Sequence, residues 1–219
     1  MQENTDRLSI KKMAKSFVYL PIKKTDMYPL FLSHPIFSTP ILTFHGKVVD
    51  ITEEPEELEE MKKEMCHMID RQKSVVGISM LITKPYRLTF LRYIKPFLSL
   101  PDFSTLLSTI WIDSENPNQD VNVPVNMIAG WFREADPRIL MSKEEFEVYD
   151  QLPDEFTVYR GVACGRNPSG LSWTRNKKLA EWFAHRFDTP EKKGYVRERR
   201  GKKGEVLAYF SHEEEIVMR

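Results

Sequence analysis

Phe156-Thr157-Val158-Tyr159-Arg160 opens the part of the sequence that decides the fold. β-branched and aromatic residues in one short run predict a β-strand. A short strand is also expected at residues 171–174, after a loop rich in Gly, Asn, Pro and Ser. Asn176 is suited to cap a helix over residues 177–187, because its side chain can accept from free backbone amides. Strand features therefore dominate the chain after Pro153.

The remaining C-terminal residues predict a hairpin and a last strand. Residues 194–200 and 205–210 flank the turn Gly201-Lys-Lys-Gly204, so we expect them to pair as a β-hairpin. Ile216 to Met218 is expected to form a last, short strand. The part of the chain after residue 150 is thus predicted to be strand-rich.

The residues before this part predict helices and turns. Residues 16–50 carry four prolines, which prevent one long helix. A helix is expected over residues 52–74, further helices over 75–135, and a loop over 115–120. Ser142 and Glu145 match a capping box at the start of another helix. Helices followed by strands predict an α+β protein.

Two divisions of the chain are compatible with this pattern. The first is a helical N-terminal region, residues 1–150, packed on a strand-rich catalytic part, residues 151–219. The second is one single domain over residues 16–219.

Composition excludes several classes of protein. The 219 residues carry 32 Lys and Arg and 32 Asp and Glu, which argues against binding nucleic acid or anionic lipid through bulk charge. The sequence lacks an apolar run near 18 residues, so we expect no membrane partner. Two cysteines without a CxxC pair argue against a disulfide scaffold and a metal site. Without an apparent signal peptide, we expect a cytoplasmic protein, in the host cytoplasm if a phage encodes it.

Three segments nearly match functional patterns. Residues 165–172 resemble a phosphate-binding P-loop, but Leu171 stands where its lysine is needed. Residues 170–174 lack the last glycine of a nucleophile elbow. Residues 191–205 hold seven basic and three acidic residues, which fits either a nucleic-acid or phosphate contact or a solvated hairpin tip. The solvated tip is favoured, so nucleic acid is possible as a partner but not favoured.

Three motifs in a fixed order carry the main functional hypothesis. Tyr159-Arg160-Gly161 ends the first strand, Ser172-Trp173-Thr174 precedes a helix, and Glu213-Glu214-Glu215 precedes the last strand. This order resembles the mono-ADP-ribosyltransferases of the Arg-Ser-Glu class, and looks closest to the small bacterial and phage-borne members. The resemblance covers about residues 154–219, and implies a split β-sheet core of the ADP-ribosyltransferase type.

The resemblance implies that NAD+ is the substrate and assigns roles to the motif residues. Glu215 would bind the ribose 2′-hydroxyl and face the cation that develops on the ribose. Arg160 would contact the pyrophosphate, and Gly161 would let the backbone approach the nicotinamide carboxamide. Ser172 would orient Glu215, and Thr174 would support the strand pair. Trp173 departs from the family pattern and is expected to pack on the other face of its strand.

The acceptor is the least determined part of the hypothesis. Glu213 and Glu215 would share a face if this segment is extended. In the family, a glutamate at the position of Glu213 goes with arginine acceptors, so a protein arginine is favoured. The aromatic group that stacks on nicotinamide could be Tyr159, Phe187 or Tyr195. Two alternatives stay open: an NAD+ glycohydrolase toxin, and a non-catalytic binding protein that uses residues 191–205.

Overall fold

A computed structural model describes residues 2–114 and 120–219. Contacts between residues divide the chain into two compact units, Met1–Asp102 and Phe103–Arg219. The loop predicted over residues 115–120 lies outside the described residues, except for Asp120. None of the helices in these two described ranges combines the length and the apolar character needed to cross a membrane.

The first unit consists of helices and two small antiparallel sheets. Its helices are α1 (Arg7–Val18), α2 (Pro55–Arg71), α3 (Val75–Met80), α4 (Arg87–Ile94) and the first turn of α5 (Leu100–Asp113). Strands β1 (Lys23–Lys24) and β2 (Leu32–Ser33) pair with each other, as do β3 (Ile41–Phe44) and β4 (Lys47–Asp50). Helix α2 confirms the helix predicted over residues 52–74, with slightly shorter bounds.

Helix α1 lies at the centre of this unit. Ile10, Ala14 and Phe17 are buried and recur at the spacing of one helical face. That face packs against α2, α3 and α4. The ring of Phe17 meets the ring of Phe90 edge-on, with 5.4 Å between their centroids. Apolar periodicity along α1 thus produces the core of the first unit.

His34 is a buried polar group in the first unit. Its Nδ1 accepts hydrogen bonds from the backbone amides of Ile36 and Phe37, both at 3.1 Å. The Nε2 atom therefore carries the proton and donates to the carbonyl of Leu20 at 3.0 Å. Burial disfavours the charged ring and lowers the pKa of His34 to about 4. His34 is consequently neutral at physiological pH.

The second unit combines helices with one larger sheet. Its further helices are α6 (Val125–Glu134), α7 (Pro137–Leu140), α8 (Lys143–Asp150) and α9 (Lys177–His185). Its strands are β5 (Glu155–Val162), β6 (Ser172–Thr174), β7 (Tyr195–Lys202), β8 (Val206–Phe210) and β9 (Glu215–Met218). The predicted capping box of Ser142 and Glu145 begins α8, and the Asn176 side chain caps α9 by accepting from the Leu179 amide.

The predicted hairpin between residues 194–200 and 205–210 is wrong. Both segments form strands, but the sheet order is β7-β5-β6-β9-β8, so β7 and β8 lie at opposite ends of the order. Strand β7 pairs with β5 over eight residue pairs, and β8 pairs with β9. Residues Lys203–Glu205 form a single 3-10 turn between them rather than a hairpin turn. Turn composition alone did not reveal the pairing, because partners distant in sequence compete for each strand.

This connection requires the sheet to curl. In a flat five-stranded sheet the outer strands would lie at least about 19 Å apart, four spacings of about 4.8 Å. The four Cα steps from Lys202 to Val206 reach at most about 15 Å. The β7–β5 half and the β6–β9–β8 half therefore face each other. Between them lies a core whose buried members are Leu152, Phe156, Val158, Trp173, Val206, Ile216 and Met218.

The described residues confirm the α+β class: apart from two small antiparallel sheets, helices occupy the chain before residue 155, and the larger antiparallel sheet follows. Trp173 packs as expected, because it belongs to this core and is 6% exposed. The guanidinium groups of Arg197 and Arg199 lie 5.8 and 4.8 Å from the ring centroid of Trp173. Two arginine side chains of β7 thus cover Trp173 at the edge of this core.

Candidate functional site

The seam between β5 and β6 is the thinnest connection within the curled sheet. A single backbone pair, Tyr159 with Thr174, joins these two strands. Beside this pair, Arg160 spans the seam with its side chain: Nη1 donates to the Ser172 carbonyl at 2.7 Å and Nη2 to the Asn167 carbonyl at 2.9 Å. One of these hydrogen bonds thus crosses the seam to β6, and the other holds the loop between the two strands.

Arg160 is buried, with 9% of its surface exposed. Burial lowers the pKa of Arg160 to about 10, and the nearby Glu215 carboxylate acts in the opposite direction. The group therefore remains a cation at neutral pH. Its Nε atom is buried and has no hydrogen-bond partner among the described residues.

Glu215 begins β9 and lies opposite Thr174 of β6 and Phe210 of β8. The indole Nε1 of Trp111 donates a hydrogen bond to its Oε2 at 2.9 Å. The Ser172 side chain also hydrogen-bonds its carboxylate. Strand pairing and two side-chain bonds therefore fix both the backbone and the carboxylate of Glu215.

Burial raises the pKa of Glu215 above its ordinary value, and the charge of Glu213 raises it further. Hydrogen bonds from Ser172 and Trp111 and the charge of Arg160 act in the opposite direction, since each favours the carboxylate. The balance leaves Glu215 a stronger base than an exposed glutamate.

The three consecutive glutamates adopt a turn rather than an extended segment. Residues Ser211–Glu213 form a 3-10 turn, and Glu214 has the left-handed conformation with a φ of 45°. Glu213 and Glu215 both line one cleft, whereas the carboxylate of Glu214 accepts from Asn176 Nδ2 at 3.3 Å. Glu213 and Glu215 thus face the same side, as the sequence suggested. The turn at residues 211–214 brings them there, rather than the alternation of a strand.

This cleft has a cavity volume of about 150 Å³ and opens to solvent at its mouth. It brings together the whole set of residues singled out from the sequence motifs: Tyr159, Arg160, Gly161, Ser172, Thr174, Glu213 and Glu215.

The structure gives Gly161 a role in packing. An added Cβ would lie 2.2 Å from the Ala180 carbonyl oxygen and 2.7 Å from the Ala184 amide nitrogen. Helix α9 therefore packs directly on the backbone of β5, which a side chain at this position would prevent. The absence of a side chain at Gly161 therefore allows α9 to approach β5 closely.

Two of the three candidate aromatic residues do not line the cleft. Phe187 and Tyr195 are 53% and 52% exposed, and Phe187 lies beyond the end of α9 at His185. Tyr159 does line it.

Sequence reasoning missed further lining residues, among them Trp111, Phe183 and Arg186. Trp111 is separated from Glu215 by 104 residues, so no local spacing pointed to the contact.

The near matches to two other motifs do not hold in the structure. Ser172 lies at the start of β6, and α9 begins only at Lys177. A P-loop needs a helix N-terminus directly after its glycine-rich loop, and a nucleophile elbow needs a sharp strand-to-helix turn at the serine. Neither arrangement is present here.

Comparisons of this chain with protein-family models, curated proteins and solved structures gave no match.

Proposed function

We propose that the protein is an NAD+-dependent mono-ADP-ribosyltransferase with a split sheet of the ADP-ribosyltransferase type. It cleaves the nicotinamide–ribose bond of NAD+ and transfers ADP-ribose to a protein, with arginine as the favoured acceptor. The observation that carries the proposal is the convergence of Arg160, Ser172 and Glu215 in one cleft. These residues come from three different strands, so their meeting depends on the fold and not on sequence proximity.

The position of Glu215 suits the cleavage step. When the bond between C1′ and the nicotinamide nitrogen breaks, the electron pair leaves with the nitrogen and positive charge develops on the ribose. A carboxylate held in place stabilises that charge without having to reorganise. Trp111 and Ser172 hold the Glu215 carboxylate in this way.

The walls of the cleft suit two parts of the NAD+ molecule, the nicotinamide ring and the pyrophosphate. Tyr159 and Phe183, which line the cleft and are half-buried, offer aromatic surface for the nicotinamide ring. Arg160, Arg166 and Arg186 offer positive charge for the pyrophosphate. Arg160 uses one N–H of each terminal nitrogen for the carbonyls of Ser172 and Asn167, and each terminal nitrogen carries a second N–H.

Glu213 suits the transfer step. It is exposed and lines the same cleft as Glu215. In the transfer, a guanidinium nitrogen of the acceptor forms a bond to C1′ and loses one proton, which Glu213 accepts. An exposed carboxylate in the same cleft as Glu215 supports a transferase over an enzyme that uses only water.

The test is the release of nicotinamide from NAD+ by the purified protein, with and without bacterial lysate. We expect release that increases with lysate, and labelling of a lysate protein at arginine. Glu215→Ala should abolish both. The matched control is Glu214→Gln, which changes a neighbouring glutamate outside the cleft and should leave both intact.

Other outcomes would identify a different activity. Equal release with and without lysate, without labelling, would indicate an NAD+ glycohydrolase. Absence of release from folded protein would contradict the enzyme proposal and favour a binding protein.

A further inference from the structure

Helix α9 presents an exposed aromatic surface beside the cleft. Its inner face packs on β5 through Ala180 and Ala184, which are fully buried. On its outer side Trp182 is 58% exposed, and Phe187 just after the helix is 53% exposed. Large exposed aromatic groups are more informative than exposed aliphatic ones, because they retain much apolar area in water. We call Trp182, Phe183, Arg186 and Phe187 the aromatic platform.

Arg186 joins the members of the platform. Its guanidinium carbon lies 5.7 Å from the ring centroid of Trp182, 5.1 Å from that of Phe183 and 4.7 Å from that of Phe187. The rings of Trp182 and Phe183 also meet edge-on at 4.9 Å. Tryptophan and arginine dominate the energetically important residues of protein interfaces. Because these side chains already contact one another, they would lose little conformational entropy when a partner binds.

The aromatic platform continues into the cleft. Phe183 and Arg186 line the cleft, while Trp182 and Phe187 lie outside its lining. A polypeptide that covers the exposed rings therefore extends to the mouth of the cleft that contains Glu213. This continuity distinguishes the platform from an apolar patch elsewhere on the surface.

The charge around the platform favours an acidic partner. Residues 175–195 contain six Lys and Arg and three Asp and Glu. Of the acidic groups, Asp188 already bonds His185 and the Gly194 amide. Lys177, Lys178, Lys192 and Lys193 are all exposed. Opposite charge on a partner would speed its association and orient it.

Single-stranded nucleic acid fits the platform less well than a peptide does. Bases bind such surfaces by stacking on open ring faces. Here the Arg186 guanidinium already lies against three rings.

We propose that the aromatic platform docks an acidic segment of the acceptor protein and brings a nearby arginine to Glu213. This inference rests on the proposed transferase function and specifies its protein substrate: an arginine close to a run of Asp and Glu.

The first test measures binding without catalysis. Fluorescein-labelled peptides with one arginine, flanked either by glutamates or by lysines, are titrated with the Glu215→Gln protein by fluorescence anisotropy. We expect the acidic peptide to bind at least about tenfold more tightly than the lysine peptide. The Trp182→Ala/Phe187→Ala double variant should lose about tenfold of that affinity. Tyr93→Ala removes a similarly exposed aromatic ring, 52% exposed, from the other unit and should have no effect.

The second test measures transfer on the catalytically intact chain. Agmatine, a small guanidine acceptor, should be modified equally by the unmodified chain and the double variant, because neither substituted side chain lines the cleft. Modification of the acidic peptide should fall about tenfold in the variant, mainly through KM.

The outcomes separate the two proposals. Equal binding of both peptides, unchanged binding by the double variant, or stronger binding of a single-stranded oligonucleotide would overturn the docking proposal. Loss of nicotinamide release and of agmatine modification in every protein would contradict the transferase function. In that case, selective binding of the acidic peptide through Trp182 and Phe187 would still identify the platform as an acidic-peptide site.

Discussion

The indole of Trp111 holds the carboxylate of Glu215 through a hydrogen bond of 2.9 Å from Nε1 to Oε2. Trp111 lies on α5, whereas Glu215 begins β9. The indole also packs edge-on against Phe132, at 5.1 Å between ring centroids. Helix α5 therefore contributes directly to the geometry of the candidate catalytic carboxylate.

Trp111→Phe removes this donor and retains an aromatic ring. A hydrogen bond to a charged group contributes about 1.5–3 kcal/mol, so we expect nicotinamide release to fall about 10- to 100-fold. The bond favours the ionised carboxylate, so its loss raises the pKa of Glu215 further. The acidic limb of the kcat/KM profile should consequently move to higher pH.

The control for this prediction is Phe132→Leu, which changes the packing of the indole but retains the donor. Its acidic limb should stay near that of the unmodified protein. An unshifted limb for Trp111→Phe would show that the indole does not control the ionisation of Glu215.

Glu213→Gln separates cleavage from transfer. The amide retains the size of the side chain but cannot accept the proton of the acceptor guanidinium. We expect cleavage of NAD+ with water as acceptor to change only severalfold, and modification of agmatine to fall about 100-fold or more. Chromatography of nicotinamide, ADP-ribose and ADP-ribosyl-agmatine measures both reactions in one sample. Equal losses in the two reactions would contradict a role for Glu213 in transfer.

Gly161→Ala tests the packing of α9 on β5. The new methyl group would lie 2.2 Å from the Ala180 carbonyl oxygen, so the helix must shift. We expect the free energy of unfolding to fall by about 2–3 kcal/mol in urea denaturation. Gly204→Ala is the matched control, because an added Cβ there meets nothing within 4 Å. Similar stability of the two variants would contradict the close approach.

His34 makes stability depend on pH. In the unfolded chain His34 takes up a proton below about pH 6.5. In the folded protein its pKa is lowered to about 4, so the neutral ring persists to lower pH. Burial of the neutral ring contributes to the free energy of unfolding fully above about pH 6.5. This contribution declines as the pH falls towards 4, and its total is on the order of 3 kcal/mol.

His34→Asn should make the free energy of unfolding less dependent on pH between 6.5 and 4. Urea denaturation at several pH values measures this slope. The exposed His67 provides the control, since His67→Asn should retain the slope of the unmodified protein. An equal slope for His34→Asn would show that burial of His34 is not its cause.

Local features of the fold were predictable from the sequence, because short-range chemistry determines them. The capping box of Ser142 and the cap at Asn176 depend on residues three positions apart. The clustering of Arg160, Ser172 and Glu215 agrees with the order of the motifs. Long-range pairing was not predictable: the partners of β7 and β8 depend on competition among five strands.

The contact between Trp111 and Glu215 was not predictable either, because the two residues are 104 positions apart in the chain. Phe187 illustrates a different error. The helix predicted over residues 177–187 included it, but α9 ends at His185, and the ring of Phe187 is exposed.

The single backbone pair between β5 and β6 determines where the curled sheet is mechanically compliant. Its other junctions have three or more residue pairs, and Lys203–Glu205 links the outer strands covalently. Strain applied to this closed ring therefore concentrates at the seam, where Arg160 adds one hydrogen bond to β6 and one to the loop that precedes it. The cleft lies at that seam, so its width can adjust to an entering molecule while the core between the two halves stays packed.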